Sequence, residues 1–219
     1  APSRRERQTR AGLHMPPRIT ARFVYEAFCN PTWTLNTLQA GLPKLRTMEK
    51  YAQSANMATT AMFVAQKMTG IVSWDYLKEV RDEWQGPLVA KGIHHPEDAE
   101  KAIGIGIDAI QVSNHGGRQF DAAPAAIDLL PPIVRQVNGR TPILFDSGIR
   151  SGLDILRALA LGADFVFLGR PFIYGAAALG RYGGDHTVEI LLDDLRVNMI
   201  QMGFASLDDI AAYAQEQNV

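Results

Sequence analysis

Cysteine is nearly absent from this 219-residue chain: Cys29 is the only one. That excludes an internal disulfide framework and suits a reducing compartment. Also missing is any apolar run of the roughly 18 residues that a spanning helix needs, and no signal-peptide pattern opens the chain. An excess of charge is lacking too. The 22 Lys and Arg nearly cancel the 23 Asp and Glu, leaving a formal net charge of −1. Nothing in that balance marks nucleic acid as a partner. Apolar residues, at 47%, are numerous enough for a sizeable core.

Residues 1–70 lack a clear period. Prolines at 2, 16, 17, 31 and 43 and scattered polar residues predict a long irregular excursion with short helices. A helix is expected over Thr20–Phe28, with Phe23, Val24, Ala27 and Phe28 on one face and Asn30-Pro31 as its stop. Met48, Met57, Met62 and Met68 make 47–70 adaptable in packing. Such a stretch suits either a mobile lid or membrane-surface loop, or an ordered excursion that covers the core. The opening residues, with arginines at 4, 5, 7 and 10, read as the middle of a protein. Taken alone, that cluster is also a solvated basic arm.

From residue 71 to 185 the pattern becomes regular. Ser73 caps a helix whose Tyr76, Leu77 and Val80 are expected to face inward. Strands are expected at 88–91, 109–113, 142–146 and 164–168. Between them come a helix opened by Pro96, a second entered near Ala122-Ala123 and restarted at Pro131-Pro132, and a third over 152–161 with Ser151 and Asp154 as capping pair. Terminal helices are expected near 188–202 and 207–215, within a last section of 186–219. Lys91, His115, Asp146 and Arg170 each follow a strand, the spacing of repeated β/α units and a parallel sheet. In a (β/α)8 barrel such strand ends share one pocket, and the last two units often bind phosphate.

The chemistry gathers at Ser113-Asn114-His115-Gly116-Gly117-Arg118. An imidazole accepts a proton near neutral pH. A guanidinium grips a carboxylate with two parallel bonds. A base and a carboxylate clamp three residues apart suit a substrate that carries an acidic proton and a carboxylate. In isolation the same residues also suit a loop with a satisfied histidine and a solvated arginine. Gly148 with Arg150, and Gly169 with Arg170, supply amides and cations for a phosphate. No metal is called for.

Four segments carry a resemblance to a known family: Leu-Val-Ala-Lys91-Gly, Ser-Asn-His115-Gly-Gly-Arg118-Gln, Asp146-Ser-Gly-Ile-Arg150-Ser-Gly and Leu-Gly169-Arg170-Pro. In order and spacing they resemble the FMN-dependent α-hydroxy acid dehydrogenases and oxidases, which include lactate and mandelate dehydrogenases and glycolate oxidase. The resemblance implies FMN as cofactor and oxidation of a small (S)-2-hydroxy acid to the 2-keto acid. Electrons would pass from reduced FMN to quinone, oxygen or a cytochrome. It implies His115 as the base and Arg118 as the carboxylate clamp, with Arg5, from a segment like the family's Arg-Glu-Arg-Asp, as a second carboxylate contact. Lys91 would lie at the flavin ring, Asp146 at its ribityl chain, and Gly148, Arg150, Gly169 and Arg170 at its phosphate, with Ser113 and Ser147 as further cofactor contacts. On residues alone, Lys91 is also a snorkelling lysine and Asp146 a helix cap.

Asn-Pro-Thr-Trp33 is similar to a segment of the membrane-associated bacterial members. By that likeness the 30–70 region would meet a membrane surface and quinone. The resemblance further implies a homo-oligomer, a tetramer in related proteins. The protein would be cytoplasmic, or peripheral on the inner face of the cell membrane. Family members are about twice as long. The chain is therefore expected to be a fragment, or the ordered part of a longer chain: one FMN-binding domain over 1–219 that carries strands 5–8 of the barrel. Two other readings stay open, a phosphate-gripping barrel of the isomerase or aldolase type without flavin, and a non-catalytic half-barrel.

Overall fold

The computed structural model describes residues 2–12, 19–41, 44–54, 56–67 and 72–216. It separates into two compact units, Ala1–Val72 and Ser73–Val219. The first unit is helical: α1 (Pro2–Arg10), α2 (Ala21–Cys29), α3 (Pro31–Ala40), α4 (Arg46–Ala52) and α5 (Met57–Lys67). The stretch read as a long irregular excursion thus forms several short helices, each with a local cause. The Thr20 side chain accepts from Phe23 N and starts α2. Pro31 opens α3 at a position where its missing N–H costs nothing. Asn56 Oδ1 accepts from Ala58 N at 2.9 Å and starts α5. The expected apolar face of α2 exists, but it is not core: α2 has no buried residue, and Phe28 is 84% exposed. Met68 and the prolines at 16, 17 and 43 lie outside the described residues, as do the side chains of Arg4, Arg5 and Met57.

In the second unit helices and strands alternate. The elements are α6 (Trp74–Glu83), β1 (Val89–Ile93), α7 (Pro96–Ile105), β2 (Ala109–Val112), α8 (Ala126–Val137), β3 (Ile143–Phe145), α9 (Gly152–Ala160), β4 (Phe165–Val166), α10 (Arg170–Leu179), α11 (Gly183–Met202) and α12 (Leu207–Glu216). The four strands form one parallel sheet in the order β1-β2-β3-β4. All four were expected, in that order and that sense.

Register sorts the side chains onto two faces. Ala90, Ile110 and Ile143 stand side by side, as do Ile93, Val112, Phe145 and Val166. These pack with Ala99 and Ala102 of α7, Leu130, Ile133 and Val137 of α8, and Ala158 of α9 to make the core. Each fully buried Leu, Ile or Val contributes about 1.5–3 kcal/mol. The opposite row runs Lys91, Gln111, Leu144, Phe165. Phe165 is 56% exposed there, and its ring meets Phe167 edge-on at 5.1 Å. This face carries the polar strand ends.

Several local expectations need correction. α8 begins at Ala126, not near Ala122, and continues through Pro131 and Pro132 without a restart. A proline inside a helix removes a backbone bond. Here the full burial of Leu130, Ile133 and Val137 on one stripe outweighs that loss. Tyr76 is exposed while Leu77 packs on the core. α10 was not anticipated, and α11 starts five residues earlier than expected. Both follow from the close approach of these two helices: a methyl on Gly183 would overlap the Gly175 carbonyl, and one on Gly175 the Thr187 hydroxyl.

Candidate active site

The ends of β1, β2 and β3 converge on one polar cluster. Lys91 sits beside Gln111 in register. Its ammonium pairs with the Asp146 carboxylate and donates to Ser113 Oγ at 2.9 Å. Gln111 Nε2 donates to the same Asp146 oxygen at 2.9 Å. Ser147 Oγ donates to the other, Oδ1, at 2.8 Å. Burial pushes the Asp146 carboxyl up, but the bonds from Lys91, Ser113 and Ser147 outweigh it and hold the group below the usual carboxylate range. Asp146 is therefore an anion at neutral pH and fixes Lys91 across two strands.

Ser113 is fully buried and links this ion pair to the histidine turn. Its Oγ accepts from His115 N at 3.1 Å. Ser147 Oγ accepts from Gly116 N at 3.1 Å, and Asn114 Oδ1 from the same N–H at 3.0 Å. The chain then makes a tight turn over His115–Gly117, in which His115 has φ 55° and Gly116 φ 66°. A histidine in the left-handed region is uncommon and holds only where its surroundings over-determine it. Here Ser113, Asn114 and Ser147 hold the turn. Ser147 itself has φ 85°.

The His115 ring lies on Gly92. A Cβ on Gly92 would come within 2.7 Å of His115 Cε1, and Gly92 has φ 94°, a region open to glycine. His115 is exposed at the mouth of the site, but this partial burial of its ring lowers its pKa. The Lys91 charge lowers it further, Asp146 opposes, and His94 adds to the lowering. The ring is therefore neutral, and able to accept a proton, at neutral pH.

A cavity of about 430 Å3 opens beside the turn, lined in part by Gly116, Gly117, Ser147, Gly148 and Arg170. Nothing stands within 4 Å of where a Cβ would be at Gly117, Gly148 or Gly169, while the Arg170 guanidinium lies against Gly116, 2.9 Å from such a Cβ. Open glycine backbone beside one guanidinium fits the phosphate end of a flavin nucleotide. Gly169 caps α10 and places Arg170 at its first position.

Of the residues singled out in the sequence, Lys91, Ser113, His115, Asp146 and Ser147 come together, and Gly148 and Arg170 share the adjoining cavity. Arg118 follows the turn and is exposed. Arg150 does not join Arg170. Its guanidinium donates to Ile149 O at 2.7 Å and lines a different cavity of about 450 Å3 with Pro171, Tyr174 and His186. Its backbone N–H is taken by Asp154, whose carboxylate also closes the capping box of α9. Arg5 belongs to α1 in the first unit, and its side chain is outside the described residues. Two participants were missed. Gln111 was read as part of an apolar strand, although its place on the row of Lys91 marks it. His94, one residue past β1, donates through Nε2 to Ser113 O at 2.6 Å. Among the described residues no cluster of three His, Cys, Asp or Glu could hold a metal.

Comparison with known proteins identifies the family. The model of the FMN-dependent dehydrogenases matches residues 1–216. The chain is 38% identical over 212 residues to an L-lactate dehydrogenase of Allorhizobium ampelinum, covering 96% of this chain and 56% of that protein. It is 39% identical over 213 residues to one from Acinetobacter baumannii, at 96% and 55% coverage. It thus spans about half the length of the curated relatives it matches. A monotopic membrane protein, (S)-mandelate dehydrogenase, superposes with a TM-score of 0.89 at 33% identity, over 94% of this chain and 54% of its own. A mandelate oxidase variant solved with a monooxide FMN adduct superposes with a TM-score of 0.61 at 41% identity, over 64% and 45%. The fold is part of a (β/α)8 barrel, and the chain belongs to the FMN-dependent dehydrogenase family.

Proposed function

We propose that this chain carries the base, the carboxylate clamp and the phosphate grip of an enzyme that oxidises a small (S)-2-hydroxy acid, of lactate or mandelate type, to the 2-keto acid. The observation that carries it is the His115 ring held on Gly92 beside the Lys91–Asp146 pair. Oxidation of a 2-hydroxy acid removes the hydroxyl proton and the C2 hydrogen with its electron pair. His115 takes the proton. Arg118 grips the substrate carboxylate through its two-pronged guanidinium and so fixes which face of C2 is presented, with Arg5 as a second contact. When bound, FMN supplies the two-electron acceptor. Lys91 offers positive charge where negative charge develops during reduction. Asp146, Ser113 and Ser147 hold Lys91 and the histidine turn, and Asp146 would hold the ribityl chain. Gly148, Gly169 and Arg170 hold the phosphate. Arg150, bound to Ile149 O, would have to leave that contact to join them.

The first unit suits a docking role at a membrane surface, with quinone as one acceptor of the electrons. Phe28, Leu38, Tyr25 and Leu35 project from α2 and α3 at 66–84% exposure. The likeness to a monotopic membrane enzyme supports this part of the reading. Among the described residues no helix is long and apolar enough to cross a membrane.

FMN added to the purified protein should remain through gel filtration, and L-lactate or (S)-mandelate should bleach it without oxygen. Retained flavin that neither acid bleaches would overturn the substrate class. Arg170→Ala should weaken FMN retention by about 10–100-fold, the worth of a charged hydrogen bond. Unchanged flavin affinity in that variant would remove Arg170 from the phosphate grip.

A further inference from the structure

The β1–β2 ladder breaks where the catalytic turn begins. Lys91 pairs with Gln111, but the next pair is Ile93 with Val112, because Gly92 forms a bulge at φ 94°. β2 ends at Val112, and the next carbonyl, that of Ser113, is one residue beyond the last ladder pair. His94 meets it there, its Nε2 2.6 Å from Ser113 O. A carbonyl can only accept, so Nε2 carries the proton in this contact. The imidazole thus supplies the donor that the slipped backbone does not. It does so at the residue whose hydroxyl holds Lys91 and whose successor but one is His115.

We propose that His94 is a positioning residue for the oxidation: its Nε2–H pins the Ser113 carbonyl and so fixes the turn that carries His115. This rests on the proposed function for the identity of the reaction, and on geometry alone for the contact. His94 is also among the groups that lower the His115 pKa, after burial of the ring and the Lys91 charge.

Two variants separate the roles. Gln places an amide N–H where His has Nε2–H and cannot titrate; Leu has neither. In the FMN-loaded protein, His94→Leu should slow flavin reduction by a 2-hydroxy acid roughly tenfold, the cost of a slightly misplaced base. His94→Gln should restore the rate to within about threefold of wild type, because its amide N–H can replace the Nε2–H bond. A second readout needs no flavin and no turnover: the NMR titration of the His115 ring. Its midpoint should move up in both variants, because the part of the lowering that His94 contributes is lost. Should His94→Leu fail to fold, the His94→Gln titration alone decides. A His115 midpoint unmoved in both variants, with His94→Leu reducing flavin at the wild-type rate, would overturn the inference. If wild-type protein itself leaves the flavin oxidised, the proposed function fails while the titration still decides the role of His94.

Discussion

Replacing His115 by glutamine lowers the rate of flavin reduction by about 10²–10⁴-fold, the usual worth of a positioned base, with FMN still bound. The phosphate grip at Gly148, Gly169 and Arg170 lies on other strand ends and is untouched, so binding and turnover separate in this variant. The pH dependence follows from the sign of the shift. Burial of the ring on Gly92 and the charge of Lys91 lower the His115 pKa. The neutral, proton-accepting form is therefore populated above a midpoint that lies below the ordinary histidine range. Activity is present above that midpoint and is lost as the pH falls through it. In His115→Gln this limb should vanish together with the rate. Stopped-flow reduction without oxygen checks both. A variant rate within about threefold of wild type, far short of a base's contribution, would remove His115 from the mechanism.

Lys91→Met is expected to be nearly as damaging, for a different reason. It removes the charge placed where negative charge develops and leaves Asp146 without its cation. Loss of one preorganised electrostatic contact of this kind costs about 10²–10³-fold in rate. The substitution also removes a charge that lowers the His115 pKa. The acid limb should therefore move to higher pH, a change that damage to packing alone would not produce. A slow variant whose acid limb stays where wild type has it would contradict an electrostatic role for Lys91.

The parts of this molecule that were legible in the sequence are those set by near neighbours. Ser151 and Asp154 form a capping box whatever α9 packs against. Ser73 caps its helix through a backbone N–H three residues on. The four strands were legible because each is a short apolar run bounded by glycine or proline, and their parallel order followed from the helices between them. What stayed hidden depends on contacts between distant segments. The passage of α8 through Pro131-Pro132 is decided by the burial of Leu130 and Ile133. The direction of Arg150 is decided by the groove between α10 and α11. His94 looked like a loop residue because its partner, the Ser113 carbonyl, lies 19 positions away. The motif residues themselves were found, since the loop chemistry of His115, Asp146 and Arg170 stands directly after recognisable strands. Their mutual geometry came only with the sheet.

A single turnover without oxygen bears on the whole scheme at once. FMN-loaded protein is mixed with the (S)- and, separately, the (R)-enantiomer of a 2-hydroxy acid, and flavin colour and keto acid are followed together. A base and a clamp that present one face of C2 predict one 2-keto acid formed per flavin bleached with the (S)-enantiomer, and neither with the (R). Flavin that stays oxidised with the (S)-enantiomer, or bleaches equally with both, would contradict the roles assigned to His115 and Arg118.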